Sequence, residues 1–230
     1  MLEAVVFDFD GLVMDSEWII YEAAAAAFAQ EGHSLSVSAW ATIVGTNSND
    51  DDTWWPRLCA AAGVVGFERV VFEGIYNGPS EAAARRAGLL ALPALPGVET
   101  LIDAATAAGV PLAVASSSST DWLQTNLVRL GLRSRFGAIV GSDQVGGIGK
   151  PAPDVYLKAC ANLGVEPNGC VALEDSAHGI RAAQAAGMRA VAVPSRITLH
   201  NNFATADLVV DSLRDLSLDR LASLVAHAPR

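Results

Sequence analysis

The stretch Ala4-Val5-Val6-Phe7-Asp8-Phe9-Asp10-Gly11 carries four apolar residues straight into two carboxylates and a glycine. A short, continuous apolar run is typical of a strand buried on both faces of a parallel sheet. If the strand continues through the acids, Asp8 and Asp10 share one side, because successive strand residues face opposite ways. Gly11 then lets the chain turn away at once. The stretch predicts two acids at the carboxyl end of a buried strand, where open α/β sheets bind ligands.

Neighbouring carboxylates repel each other unless a cation lies beside them. Residues 1–15 contain no lysine, arginine or histidine. A divalent ion with oxygen ligands would relieve the repulsion, and Mg²⁺ prefers such ligands. Asp8 and Asp10 therefore form a candidate Mg²⁺ site. The structural alternative is that both acids are ordinary turn residues that end the strand.

Composition limits the class of protein. The chain has 230 residues, 51% of them apolar, and a net charge of −10. This is enough apolar material for one large or two modest domains. The acidic pI of about 4.7 argues against a nucleic-acid or anionic-membrane partner, because such partners need a basic face. Three cysteines without a C-x-x-C pair, and no basic segment before the first apolar run, favour a cytoplasmic protein.

From about residue 98 onward, short apolar runs alternate with helical patterns. The predicted strands after the first cover residues 112–115, 138–140, 171–173, 190–193 and 208–210. The predicted helices cover residues 99–108, 120–130, 154–163, 177–186 and 218–226. This alternation predicts an α/β fold with a doubly wound, Rossmann-like parallel sheet.

Between residues 16 and 92 the pattern is helical. Asp15 or Ser16 is placed to cap the first helix, and two prolines within residues 89–97 indicate a connector back to the sheet. The helical block therefore interrupts the sheet domain after its first strand. We predict a catalytic α/β domain of residues 1–15 and 93–230, and an inserted all-helical cap domain of residues 16–92.

Polar side chains recur at successive strand ends. They are Asp8 and Asp10, Ser116 and Ser117, Lys150, and Glu174 and Asp175. Because parallel strands place their carboxyl ends along one edge, these groups can converge. Each has an ordinary explanation by itself, as a helix cap or a solvated loop residue. Their recurrence favours a single site.

Phosphoryl transfer is the chemistry that these residue types support. Asp8 could attack phosphorus and form an aspartyl-phosphate, and Asp10 could serve the leaving oxygen and the attacking water. Lys150 would supply positive charge to the phosphoryl group. The predicted phosphate-binding residues are Ser116, Ser117 and Lys150. The predicted Mg²⁺ ligands are Asp8, Asp10, Glu174 and Asp175.

Four motifs occur in order: Asp8-Phe9-Asp10-Gly11, Ser116 after a strand, Gly149-Lys150-Pro151-Ala152-Pro153-Asp154, and Leu173-Glu174-Asp175-Ser176. Over nearly its whole length the chain resembles the haloacid dehalogenase superfamily of phosphohydrolases, in particular the β-phosphoglucomutase-like branch with a helical cap. The resemblance implies that Asp8 is the nucleophile and Asp10 the general acid and base. It also implies Mg²⁺ held by Asp8, the Asp10 carbonyl and Asp175, with Glu174 adjacent, and a helical insert that acts as a lid.

Departures from the mutases of this branch favour simple hydrolysis. Those mutases carry a cap arginine after a glycine like Gly45, whereas residues 46–52 here contain no basic residue and three aspartates. They also carry a histidine where this chain has Ile19-Ile20. An acidic loop is poorly suited to hold a bisphosphate by both ends. Dehalogenases of the superfamily lack the second acid, so Asp10 argues against that chemistry.

The sequence therefore predicts a Mg²⁺-dependent phosphatase for a small phosphorylated metabolite such as a sugar phosphate. A phosphomutase is the alternative, and a phosphate-sensing receiver module, which would lack the lid and Asp10, is a third. Asn47, Ser48 and Trp18 are candidate substrate contacts in the cap. His178 is expected to lie on the surface. The sequence does not indicate an oligomeric state, and a monomer is favoured by default.

Overall fold

The computed structural model describes residues 1–44 and 53–226. Within these residues, six strands form one parallel sheet: β1 Ala4–Phe7, β2 Leu112–Ala115, β3 Ala138–Val140, β4 Cys170–Glu174, β5 Arg189–Ala192 and β6 Leu208–Val209. Their order is β3-β2-β1-β4-β5-β6, and every neighbouring pair is parallel. The predicted doubly wound α/β fold is confirmed.

Helices fall into two groups along the chain. Those between β1 and β2 that precede the return to the sheet are α1 Ser16–Gln30, α2 Val37–Trp40, α3 Trp54–Ala62, α4 Arg69–Tyr76 and α5 Pro79–Ala91. The others are α6 Val98–Ala107, α7 Thr120–Arg129, α8 Asp154–Leu163, α9 Ala177–Ala185 and α10 Leu218–Ala226. In the part of the chain that the structure describes, none of them has the length and apolar content to cross a membrane.

The side chains of β1 alternate between two apolar cores. Ala4 and Val6 belong to the core beneath α8 and α9, and Val5 and Phe7 belong to the core beneath α6, α7 and α10. All four side chains are fully buried. Helices cover both faces of the strand, and this explains why every residue of the run is apolar.

Strand order explains why a site should lie beside β1. From β1 the chain builds outward through β2 and β3 on one side, and resumes at β4 on the other. The crevice between β1 and β4 is thus a switch point of the kind at which open sheets bind ligands. Phe7 is in register with Leu173, so Asp8 and Glu174 continue side by side toward the carboxyl edge.

The helices α1 to α4 share an apolar core of their own. The ring centroids of Trp55, Phe67 and Phe72 lie 5.8, 5.0 and 5.7 Å from that of Phe28. Ile197, which follows β5, also belongs to this cluster. A separate core supports our proposal that residues 16–92 form a cap domain inserted between residues 1–15 and 93–230.

The connector that returns to the sheet is shorter than expected. Helix α5 continues through Ala91, so Leu89 and Leu90 belong to the helix and not to the predicted connector. These residues are strong helix formers. Leu92 then adopts an extended conformation with φ −68° and ψ 130°. The helix ends there because the following proline, Pro93, disfavours helical geometry in the residue before it.

Candidate active site

The first acid follows directly on the central strand. The Asp8 N–H donates to the Leu173 carbonyl at 2.9 Å, so pairing continues one residue beyond β1. Asp10 has left the strand: it forms an isolated bridge with Met14, next to Gly11 at φ +86°. The strand therefore does not continue through both acids, and the condition for the two to share one side of it is not met. A turn that glycine permits places Asp10 instead.

Lys150 joins the ends of three strands. Its Nζ lies 2.5 Å from Asp8 Oδ1 and 2.5 Å from Glu174 Oε1, and it donates to the Ala115 carbonyl at 2.9 Å. The Lys150 side chain is only 2% exposed. A buried ammonium has three protons to donate, and here it has three oxygen partners. Lys150 is therefore both fully satisfied and surrounded by negative charge.

Burial and charge act in opposite directions on this cluster. Burial raises the pKa of Asp8 to about 7, and the Lys150 ammonium opposes that shift. For Lys150, burial lowers the pKa, but Asp8 and Glu174 outweigh burial and raise the pKa above its ordinary value. The lysine is thus charged, and its loss would leave two buried carboxylates without their cation.

Both oxygens of Glu174 are already engaged. Oε1 accepts from Lys150 and from the Tyr156 hydroxyl, each at 2.5 Å. Oε2 accepts from the N–H and the hydroxyl of Ser176 at 3.3 and 3.2 Å. A Cβ at Gly179 would stand 1.9 Å from this carboxylate, so the backbone of α9 must approach here without a side chain. Glu174 was predicted as a metal ligand, but in this structure its carboxylate holds Lys150 in place.

Asp175 contributes a carboxylate with one oxygen that lacks a partner. It is 1% exposed, and its Oδ2 has no hydrogen-bond partner among the residues described. Burial raises the pKa of Asp175 well above its ordinary value, and the charges of Asp8 and Glu174 add to the shift. Carboxylate oxygens of Asp8, Glu174 and Asp175 lie within 4.8 Å of one another. Such a buried oxygen cluster with an unpaired member fits a hard divalent cation.

The second acid of the first motif is held by three donors. Asp10 Oδ1 accepts from the Ser16 hydroxyl at 2.6 Å and from Trp122 Nε1 at 3.0 Å. Oδ2 accepts from the Ser118 hydroxyl at 2.6 Å. Of the two predicted helix caps, Asp15 occupies the position before α1, which leaves the Ser16 hydroxyl for Asp10. Asp10 therefore links the first insert helix to the turn after β2.

The predicted phosphate-binding serines lie in that same turn. Ser116 is buried, and its hydroxyl accepts from the Ser118 N–H at 3.1 Å. The Ser117 hydroxyl accepts from the backbone N–H of Lys150 at 3.1 Å. The turn leads into α7, which Ser119 caps. These contacts bring both serines and the lysine loop to one edge of the sheet.

A cavity of about 760 Å³ lies between this edge and the helical insert. Its volume is in the usual range for small-molecule sites, about 300–1,000 Å³. The sheet side is lined by Asp8, Asp10, Ser116, Ser117, Ser118, Ser119, Trp122, Ser142, Asp143, Gly147, Lys150, Asp175 and Ser176. The insert side is lined by Glu17, Ile20, Trp40, Ile43, Val44, Trp54, Arg69, Phe72, Glu73, Tyr76, Asn77, Arg85 and Leu89.

Comparison with known proteins agrees with this geometry. The family model of haloacid dehalogenase-like hydrolases matches residues 2–187. The chain belongs to this family. Its membership confirms the family and the enzyme class, a phosphohydrolase, that the four motifs predicted.

Two relatives match this hydrolase over nearly its whole length. The protein CbbY of Cupriavidus necator is 35% identical over 236 residues, which cover 93% of this chain and 87% of that protein. Hexitol phosphatase B of Escherichia coli K12 is 32% identical over 225 residues, or 93% and 94% of the two chains. A crystal structure of β-phosphoglucomutase from Clostridium difficile superposes with a TM-score of 0.77 over 98% of both chains. At 22% identity, that likeness shows the fold alone.

The three candidate substrate contacts in the cap have different outcomes. Asn47 and Ser48 lie outside the described residues. Trp18 is not among the described residues that line the cavity. Instead, the guanidinium carbon of Arg196 lies 3.9 Å from the Trp18 ring centroid. The Trp18 ring therefore packs against the segment after β5.

His178 is partly buried, which contradicts its expected place on the surface. It lies near the backbone of Val44, at the end of the first described part of the insert, and its Nδ1 has no hydrogen-bond partner among the described residues. Burial lowers the pKa of His178, and the neighbouring Arg181 and Arg57 lower it further. The histidine therefore lies where α9 meets the insert.

Three further residues at the site were not predicted. Tyr156 and Thr198 make hydrogen bonds to Glu174 and Asp175, and no local pattern marks either of them. Glu17 lines the cavity from α1; burial raises its pKa to about 8, and the charges of Asp10 and Asp8 add to the shift. Glu17 directly follows Ser16 and lies close to the first motif in the sequence, and this proximity could have indicated a role at the site.

Proposed function

We propose that this hydrolase is a Mg²⁺-dependent phosphatase that acts on a small sugar phosphate through phosphorylation of Asp8. The observation that carries the proposal is the 2.5 Å contact between Asp8 Oδ1 and Lys150 Nζ, beside the unpartnered Oδ2 of Asp175. One oxygen of Asp8 is held in place, which leaves the other for attack on phosphorus.

In the proposed first step, an Asp8 oxygen bonds to phosphorus and the bond from phosphorus to the ester oxygen breaks. Lys150 holds the attacking carboxylate and offsets the charge of the phosphoryl group. Asp10 gives its proton to the departing oxygen, which leaves as an alcohol. Three donors hold Asp10 in this structure, so the step requires Asp10 to exchange one of these contacts for the leaving oxygen.

In the second step, water attacks the phosphorus of the aspartyl-phosphate while Asp10 accepts a proton from that water. The bond between phosphorus and Asp8 breaks, so inorganic phosphate leaves and the Asp8 carboxylate is restored. Ser116 and Ser117, in the turn that leads into α7, would hold the phosphate oxygens in both steps.

Oxygen donors of this kind favour Mg²⁺ among common divalent ions. Asp8, the Asp10 carbonyl and Asp175 would hold the ion, with Glu174 adjacent. When bound, it supplies positive charge beside the phosphoryl oxygens. The unpartnered Asp175 Oδ2 supports this assignment, because a buried carboxylate oxygen without a partner is costly unless something binds it.

The insert side of the cavity supports a substrate whose distal part is uncharged. Arg69 is paired with Glu73 at 2.6 Å, and Arg85 donates to the Tyr76 carbonyl at 2.5 Å. Glu17 adds a second carboxyl group to this wall. Both arginines are thus already held by groups of the same wall, so neither is presented to a second phosphate. The name of the relative hexitol phosphatase B also supports a sugar or polyol phosphate as the substrate class.

A phosphomutase is the second candidate, and the same wall provides the observation that favours it. Arg69 and Arg85 belong to α4 and α5, outside the acidic loop of residues 46–52. If a substrate displaced their present partners, these arginines could bind the distal phosphate of a bisphosphate. The two candidates therefore differ in whether phosphate is released.

A phosphate-release screen tests the proposal. We expect inorganic phosphate from at least one sugar or polyol monophosphate with Mg²⁺, no release in EDTA, and recovery when Mg²⁺ is restored. Undiminished hydrolysis in EDTA would remove the metal from the proposal. For the alternative, a sugar bisphosphate is added to a sugar 1-phosphate, and isomerisation without free phosphate would favour the mutase.

A further inference from the structure

The turn formed by residues 195–198, which follows β5, contacts both the acid cluster and the helical insert. A backbone hydrogen bond from the Thr198 N–H to the Ser195 carbonyl at 3.0 Å closes it. Thr198 is fully buried, although its side chain is polar. A buried hydroxyl is retained only where it has partners, so its contacts indicate what the turn does.

On the acid side, the turn holds the backbone of Asp175. Thr198 Oγ1 donates to the Asp175 carbonyl at 2.6 Å. The same oxygen accepts from the Ser195 N–H at 3.0 Å, so the turn itself orients the hydroxyl. The Ser195 and Thr198 hydroxyls also share a hydrogen bond at 3.0 Å. The backbone of Asp175 is therefore positioned from this turn through Thr198.

On the insert side, the two central residues of the turn contact the helices. Arg196 stacks on Trp18 at 3.9 Å and pairs with Asp15 at 2.7 Å. Ile197 is buried in the apolar cluster of the insert, whose other described members lie between residues 18 and 76. The last residue of the turn thus contacts Asp175, and the inner residues contact the insert.

We propose that Thr198 is a positioning residue for Asp175, and that the turn of residues 195–198 couples the position of the helical insert to cation binding. The inference rests on the proposed function, because Asp175 is a proposed Mg²⁺ ligand. A four-residue turn closed by its own hydrogen bond is too short for its inner residues to move while its outer residues stay. A coupling between two sites is reciprocal, so a bound cation also restrains the insert.

Thr198→Val tests the positioning role, because valine keeps the shape of the side chain and removes the donor. Thr198→Ser keeps the donor and is the matched control. Mg²⁺ binding is measured by titration calorimetry without substrate. We expect about tenfold weaker binding in Thr198→Val and at most about a twofold change in Thr198→Ser. Wild-type affinity in Thr198→Val would overturn the positioning role, whereas a wild type that binds no Mg²⁺ would overturn the proposed function.

Arg196→Gln tests the coupling from the insert side. The Arg196 side chain is 52% exposed, so this variant should fold even if Thr198→Val does not. Hydrogen–deuterium exchange of peptides from α1 reports on the insert with and without Mg²⁺. We expect Mg²⁺ to slow exchange of α1 in the wild type, and to slow it less in Arg196→Gln and Thr198→Val. Equal slowing in wild type and Arg196→Gln, or no slowing in a wild type that binds Mg²⁺, would overturn the coupling.

Discussion

Lys150 Nζ lies 2.5 Å from Asp8 Oδ1 and 2.5 Å from Glu174 Oε1, so one ammonium group holds two buried carboxylates together. Without it, the two acids would face each other with no cation between them. With it, the cluster keeps a surplus of negative charge once Asp175 is included. The same lysine therefore stabilises the edge of the sheet and leaves it suited to a divalent ion.

Replacement of Lys150 by methionine should destabilise the protein and abolish its activity. Lys150→Met leaves two buried carboxylates without their partner, which typically costs about 3–5 kcal/mol. Lys158→Met, an exposed change on the neighbouring helix α8, is the matched control. Urea unfolding and phosphate release measure both effects. A Lys150→Met protein that unfolds at the same urea concentration as Lys158→Met would refute the role given to this lysine.

Addition of a methyl group at Gly11 should weaken cation binding. In Gly11→Ala the new Cβ would stand 2.2 Å from Asp175 Oδ2, at a φ of +86°. Gly32→Ala is the matched control, because its φ of +75° imposes similar strain while no atom lies within 4 Å. We expect both variants to lose about 1–2 kcal/mol of stability from backbone strain. Only Gly11→Ala should lose Mg²⁺ affinity in calorimetry, and equal affinities in the two variants would count against the site.

Glu17 should make the metal-free protein less stable as the pH rises. Its pKa is raised from 4.5 to about 8, so above pH 4.5 the unfolded chain loses a proton that the folded protein keeps. The unfolded state then binds fewer protons, and the free energy of unfolding falls with pH until the folded pKa is passed. Glu17→Gln removes this effect, so it should raise the melting temperature at pH 8 but not at pH 4.

The matched control for that measurement is Glu22→Gln, an exposed change on the same helix. Thermal unfolding in EDTA across this pH range compares the three proteins. If Glu17→Gln and Glu22→Gln show the same pH profile as the wild type, Glu17 does not hold its proton in the folded state.

Residues that directly follow strands could be predicted from the sequence. Asp8 and Asp175 stand at the ends of buried apolar runs, and parallel strands bring such ends to one edge. Lys150 was placed at the same edge because its glycine-rich loop follows a predicted strand, and the resemblance of its motif agreed. Their prediction depended only on the local sequence pattern and on the topology of the sheet. For this reason the acids and the lysine could be predicted to lie together.

Contacts made by helices and turns could not be predicted in the same way. Trp122 reaches Asp10 across 112 residues of chain, Tyr156 reaches Glu174 across 18, and Thr198 reaches Asp175 across 23. Such pairs depend on how a helix or turn packs on the sheet. The spacing of the two residues in the sequence does not reveal that packing. For the same reason, the sequence could not show that Trp18 packs against Arg196 and not against the cavity.

The most direct test of the account is phosphate release by Asp8→Asn with saturating Mg²⁺. Asparagine has the size of aspartate but no nucleophilic carboxylate, so no phosphorylated intermediate can form. Asp121→Asn, an exposed change at the start of α7, is the matched control. We predict that Asp8→Asn folds and releases phosphate from an aryl phosphate about a thousandfold more slowly or not at all, while Asp121→Asn keeps the wild-type rate. Turnover by Asp8→Asn at the wild-type rate would contradict the account.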